Sequence, residues 1–168
     1  LAIFSAQARA LAAGGADGFV LETFTDLAEA RCALRAAKEA TGLPVVASMT
    51  FDRGAAGYAT MMGVTPARAA EELTAAGADA VGSNCGAGIE NMTEIVALIA
   101  PATSLPIWAK ANAGLPELVN GETVFRQTAE DFAAATPGLL AAGARIVGGC
   151  CGTAPEHIRA LAAAVRGD

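Results

Sequence analysis

Three of the four cysteines in this 168-residue chain stand where strands are predicted to end. Cys150 and Cys151 lie in the run Gly148-Gly149-Cys150-Cys151-Gly152-Thr153, after the stretch Ala144-Arg145-Ile146-Val147 and before a helix start. Cys85 follows a second such stretch, Asp79-Ala80-Val81-Gly82-Ser83-Asn84. In parallel α/β proteins ligands bind at that edge, because the strand fixes the backbone while the following loop and helix N-terminus face the ligand. Three thiols gathered there point to a soft metal.

Other chemistries compete for the same residues. A bridge within the pair is disfavoured, since a disulfide wants Cα atoms roughly 5.5 Å apart and consecutive ones lie only ~3.8 Å apart. A bridge from Cys85 to one of the pair, or a non-catalytic module using the vicinal thiols for metal binding or redox sensing, stays open. So does a phosphate cradle at Gly148, Gly149 and Gly152, although no lysine or arginine stands beside those glycines. Cys32 reads differently. It sits in Leu27-Ala28-Glu29-Ala30-Arg31-Cys32-Ala33-Leu34, an amphipathic helix with small apolar residues for a sheet, and is expected to be a buried, inert thiol.

The elements that must position these thiols alternate along the chain. A helix from about Phe4 to Ala13 leads through Gly14-Gly15 into the strand Gly18–Glu22. Asp26 and Glu29 form a capping box for a helix to about Ala40, and Gly42-Leu43-Pro44 turns into the strand Val45–Met49. Thr65-Pro66 starts the next helix, with a hydroxyl at the cap and proline in the first turn. The strand carrying Cys85, a helix from about Asn91 to Ile99, and the strand Leu105–Lys110 follow. Thr128 caps a further helix, which Gly143 ends, and Thr153-Ala154-Pro155-Glu156 opens the last one, to about Val165. About five strands and six helices make parallel βα repeats, with strands apolar on both faces. That pattern fits either part of a closed barrel or an open sheet covered on both sides. A complete eight-stranded barrel needs about 250 residues, so the chain reads as a piece of one unit.

Composition bounds the partners. The chain is 54% hydrophobic and 17% charged, which allows a substantial core, and no apolar run reaches the ~20 residues that cross a bilayer. A net charge of −6 and a pI near 4.7 argue against phosphate-backbone binding. The expectation is a compact cytoplasmic unit with no nucleic-acid or membrane partner.

The run Gly148-Gly149-Cys150-Cys151-Gly152-Thr153-Ala154-Pro155-Glu156-His157-Ile158 resembles the C-terminal zinc motif of the homocysteine S-methyltransferase family, including the homocysteine-binding barrel of cobalamin-dependent methionine synthase. Gly18-Phe19-Val20-Leu21-Glu22-Thr23-Phe24, Met49-Thr50-Phe51-Asp52, Gly82-Ser83-Asn84-Cys85 and Asn112-Ala113-Gly114-Leu115-Pro116 match further strand-end segments in order. The resemblance covers essentially the whole chain and implies an α/β fold of parallel βα repeats, about the last five strands of a (β/α)8 TIM barrel. Residues 1–168 would then be the C-terminal part of that barrel, with the N-terminal strands missing. The vicinal cysteines among glycines, together with the upstream Asn84-Cys85, are the specific part of the match.

The resemblance implies that Cys85, Cys150 and Cys151 bind Zn²⁺, with the homocysteine sulfur taking the remaining position. Zinc chemistry agrees, since a catalytic site keeps one position open and a thiol on a divalent cation loses its proton. Glu22 closes a strand and is expected to hold the substrate's amino end. Backbone N–H groups of Gly148, Gly149 and the helix capped by Thr153 are expected to meet its carboxylate. Asn84 and Asn112 are further candidates for substrate binding, and Asn112 could approach the zinc when substrate is absent. Lys110-Ala111-Asn112 departs from the family pattern, with alanine where many relatives place proline. His157 reads as a helix-start residue rather than a ligand.

The family's glycine-rich loop at the first strand has no counterpart here, so this chain alone is expected to be inactive and to depend on the remaining part of the barrel. The methyl donor is left open among methylcobalamin charged by methyltetrahydrofolate through cobalamin-binding modules, betaine and S-methylmethionine. The methionine synthase-like reading stands first, on the likeness of the Met49 to Gly114 region.

Overall fold

The computed structural model describes residues 1–86 and 88–167. Its elements run α1 (Ala2–Ala13), β1 (Phe19–Phe24), α2 (Leu27–Thr41), β2 (Val45–Met49), β3 (Asp52–Gly54), β4 (Gly57–Ala59), α3 (Pro66–Ala75) and β5 (Ala80–Cys85). The chain continues with α4 (Ile89–Ile99), a short 3₁₀ turn (Ala100–Ala102), β6 (Ile107–Ala111), β7 (Glu117–Val119), β8 (Glu122–Val124), α5 (Ala129–Ala141), β9 (Ala144–Gly149) and α6 (Pro155–Arg166).

One sheet has the order β1-β2-β5-β6-β9, with every neighbouring pair parallel. That order never reverses along the chain. A doubly wound sheet reverses its order and places helices on both faces, whereas an unreversed order sends every crossover to one face. The helices accordingly pack in sequence, α1 on α2, α2 on α3, and onward to α5 on α6. Five parallel strands alternating with helices on one side fit part of a (β/α)8 barrel.

The two faces of the sheet differ as this layering requires. Leu34, Val45, Val81, Ile95, Ile107, Phe132 and Leu139 are buried between helices and strands. On the opposite face Val20 and Ile146 remain 41% and 38% exposed, and Trp108 stands half-buried beside Ile146 in register. Toward the C-terminal ends of the strands that open face turns polar, which the expectation of strands apolar on both faces did not include.

Local signals set most element ends. Asp26 accepts from the backbone N–H of Ala28 (2.7 Å) and Glu29 (3.2 Å), and Gly42 closes α2 at φ 70°. Thr65 caps α3, and Thr128 with Asp131 forms a full capping box on α5. The last helix corrects the sequence reading. Ala154, not Thr153, is its first cap position, and the box from Thr153 to Glu156 does not form. The Thr153 hydroxyl instead donates to the Cys150 carbonyl (2.7 Å), while His157 Nδ1 accepts from Ala154 N (3.1 Å). The imidazole thus satisfies the N–H of the cap residue, while no side chain caps the first-turn N–H groups because the threonine hydroxyl is committed to the turn.

Two antiparallel hairpins, β3-β4 and β7-β8, follow β2 and β6 and went unread in the sequence. The second turns at Asn120-Gly121, both with positive φ (51° and 86°), the signature of a tight two-residue hairpin turn.

Asp79 ties three elements together at the other end of the strands. Its Oδ2 accepts from Val45 N (2.7 Å) and Lys38 Nζ (2.9 Å). The Lys38 hydrogen bond, and after it the Val45 N–H, hold this carboxyl below its ordinary range. A carboxyl depressed on folding stabilises the protein above its unfolded value and loses that contribution as pH falls through the folded one. The pair is largely exposed and screened by solvent, so Asp79→Asn is expected to lower unfolding free energy by only a few tenths of a kcal/mol, roughly 0.5, at pH 7, with the deficit shrinking below about pH 4. Urea titrations at both pH values check it.

Candidate metal and substrate site

Strands β5 and β9 flank β6 and deliver the thiols. A regular strand would send Cys85 to the face opposite Asn84. Instead Cys85 adopts φ 64°, a left-handed conformation uncommon outside glycine, and its Sγ lies 3.8 Å from Cys151 Sγ. The sulfurs of Cys85, Cys150 and Cys151 all lie within 4.8 Å of one another, and all four cysteines are free. Sulfurs held 2.3 Å from one tetrahedral ion stand about 3.8 Å apart, so the cluster fits a soft divalent cation such as zinc with little adjustment.

Cys151 as a residue is exposed, yet its thiol turns toward the other sulfurs. Desolvation there, and after it the hydrogen bond that the protonated Cys151 thiol makes to Cys85, pushes it up to about 11. Without metal this thiol is protonated at neutral pH, so binding must displace protons.

Asn112, 3% exposed, is fixed between the two ligand loops. Its amide nitrogen donates to Gly86 O (2.7 Å) and lies 3.6 Å from Cys85 Sγ, while its oxygen accepts from Cys151 N (3.0 Å). The oxygen that a metal would take is thus engaged by a ligand's own backbone.

Below the thiols the open face carries a polar layer. Asn84 is fully buried, and its amide oxygen accepts from Thr23 N (2.9 Å) and Ser48 Oγ (2.7 Å). Its nitrogen donates to Thr23 Oγ1 (2.8 Å). Thr23 is a β-branched residue at φ 66°, in the irregular stretch where β1 shifts register against β2. Asn84 therefore holds a strained turn that directly follows Glu22. The Glu22 carboxylate meets Lys110 Nζ at 2.7 Å, with the two side chains 33% and 26% exposed. Lys110 was missed in the sequence. Its signal was a charge inside the apolar strand Ile107-Trp108-Ala109-Lys110-Ala111, two residues before Asn112 and so on the same face.

Close packing explains the glycine run. The Lys110 side chain crosses Gly148, where an added methyl would stand 3.3 Å from Lys110 Cγ. At Gly149 it would approach Thr153 Cβ to 2.7 Å, and at Gly152 it would run into the Phe125 ring. His157 Nε2 lies 3.0 Å from the Gln127 carbonyl, away from the thiols, as a helix-start residue should. Cys32 is half-buried rather than fully buried and lies in a shallow groove with Arg31, Arg35 and Ala76. Cys32→Ser is expected to leave metal content unchanged by elemental analysis.

Among the described residues no helix is long and apolar enough to cross a membrane. The sequence model of the homocysteine S-methyltransferase family matches residues 1–165. The methionine synthase of Mycobacterium tuberculosis is 32% identical over 158 residues, covering 90% of this chain and 13% of that protein. The methionine synthase of Mycobacterium leprae matches to the same extent. Among solved structures, the apo form of the homocysteine methyltransferase MmuM from Escherichia coli superposes with a TM-score of 0.75 at 28% identity, covering 96% of this chain and 57% of that one. A pyruvate carboxylase from Rhizobium etli shares the fold alone, with a TM-score of 0.60 at 18% identity. This chain therefore spans little more than half of the MmuM chain and about an eighth of each methionine synthase. With the match running over nearly every residue, the chain belongs to the homocysteine S-methyltransferase family.

Proposed function

We propose that this chain is the C-terminal part of a zinc-dependent homocysteine S-methyltransferase of the methionine synthase type. The observation that carries the reading is the three-thiol cluster at the ends of β5 and β9, within a family whose substrate is itself a thiol. Zinc held there would keep the substrate thiol deprotonated and nucleophilic at neutral pH. The chain's own residues do the rest. Cys85, Cys150 and Cys151 hold the ion, and Asn112 locks the two ligand loops together. Glu22 presents a carboxylate to the substrate ammonium, aimed by the Asn84–Thr23 contacts. Gly148 and Gly149 allow the close packing behind the cysteines, and their backbone remains a candidate for substrate contact.

A redox module built on Cys150 and Cys151 alone gives no role to Cys85, although its sulfur is drawn to Cys151 by a left-handed backbone. A phosphate cradle fares no better, because it gives no role to the three clustered thiols.

The test is methionine formation from L-homocysteine with methylcobalamin, betaine or S-methylmethionine, using this chain alone and joined to the remaining barrel strands. Activity is expected only from the joined protein and with methylcobalamin. Activity with either other donor favours the alternative donor reading. A zinc-loaded full barrel that makes no methionine from any donor overturns the proposal.

A further inference from the structure

The mechanism above leaves Lys110 unused, and its placement is hard to reconcile with a purely structural role. Lys110 is on β6 and Glu22 on β1, with β2 and β5 between them, so their 2.7 Å contact crosses the concave open face of the sheet. In register, Lys110 pairs with Asn84 on one side and Gly148 on the other. The next layer is Cys85, Ala111 and Gly149, leading to Cys150. Asn112, which touches Cys85 Sγ, shares Lys110's face about 6.6 Å further along the strand. The Lys110 stem is confined by Gly148 beneath it, and its ammonium lies 5.7 Å from the Trp108 ring centroid. A restrained cation and a restrained anion thus sit together one layer below the thiols.

We infer that Lys110 binds the α-carboxylate of the substrate, so that Glu22 and Lys110 together select a zwitterionic amino-acid thiol. The inference rests on the homocysteine reading of the site. Two methylene groups separate the thiol of homocysteine from its α-carbon, which suits a sulfur at the cysteines and charged groups one layer down. Glu22 alone would leave the pocket negative and indifferent to whether the arriving ammonium carries a carboxylate. With Lys110 present the pair is neutral. A zwitterion inserted head to tail replaces one ion pair with two, whereas a thiol amine lacking the carboxylate leaves Lys110 with no partner and facing a second cation. Charged hydrogen bonds of this kind contribute roughly ten- to hundredfold in affinity.

The experiment is isothermal titration calorimetry on the zinc-loaded full-barrel protein carrying this chain, with L-homocysteine and with 3-aminopropanethiol, which keeps the thiol and amine but has no carboxylate. The unsubstituted protein is expected to prefer L-homocysteine by at least tenfold. K110M is expected to weaken L-homocysteine by that factor and leave 3-aminopropanethiol unchanged, while K110R keeps most of the preference. Zinc content in each variant reports whether the site is intact. Absence of the preference in the unsubstituted protein overturns the inference, as does equal weakening of both ligands in K110M. Tighter homocysteine binding in K110M also overturns it, because lysine would then be competing with the substrate ammonium for Glu22. Binding of neither thiol by the unsubstituted protein removes the homocysteine reading itself.

Discussion

Cys85→Ser and Cys151→Ser are each expected to bring bound zinc from stoichiometric to background after dialysis, with affinity reduced more than a hundredfold. Changes to residues that merely support metal ligands cost ten- to a hundredfold, and here a ligand itself is lost. Cys85 is the more telling of the two. Its sulfur joins the cluster only because the backbone leaves the strand conformation at φ 64°, and 3.8 Å to Cys151 Sγ is the separation that a shared tetrahedral ion requires. Elemental analysis with thiol titration before and after chelation checks it. Zinc should shield three of the four thiols in the unsubstituted protein. A Cys85→Ser protein that retains full zinc would mean that the vicinal pair binds metal without β5.

Asn84→Ala is expected to destabilise the protein by about 2–4 kcal/mol, which urea denaturation at neutral pH measures. The amide is fully buried, and its removal leaves Thr23 N and the Ser48 hydroxyl without their partner. An orphaned buried group costs about 1–3 kcal/mol, and the vacated volume adds to that. The damage should also be local. Thr23 would lose both contacts that hold it at φ 66°, so the end of β1 should relax and carry the Glu22 carboxylate away from Lys110. Faster amide exchange at Thr23 and Phe24 than in the rest of β1 is the expected sign.

What the sequence made legible was whatever short-range chemistry controls. Asp26, Thr65, Thr128 and Gly42 announce helix ends because caps and left-handed turns are settled within a few residues, and the βα alternation follows from them. Cys85, Cys150 and Cys151 could be singled out because each follows a predicted strand, and the structure brings their sulfurs within 4.8 Å of one another. Thr153 misled, because a hydroxyl ahead of Pro155 looks like a cap, and only the folded turn shows it spent on the Cys150 carbonyl. The Glu22–Lys110 pair was invisible because it joins residues 88 apart through sheet curvature, which no local pattern encodes. Asn84 was read as a substrate contact, yet its amide is largely taken up by the end of another strand. The Asn120-Gly121 hairpin was in plain view as a dipeptide and simply went unread.

The left-handed Cys85 also has a bearing on how the chain folds. The Cys85 and Cys151 sulfurs belong to residues 66 apart in sequence, with α4, β6, the β7-β8 hairpin, α5 and β9 in between. An ion joining them closes that long loop, and a cross-link of this span removes about 4 kcal/mol of chain entropy from the unfolded ensemble in the simplest polymer treatment. The metal would thus act as a clasp on the C-terminal half as well as a chemical centre.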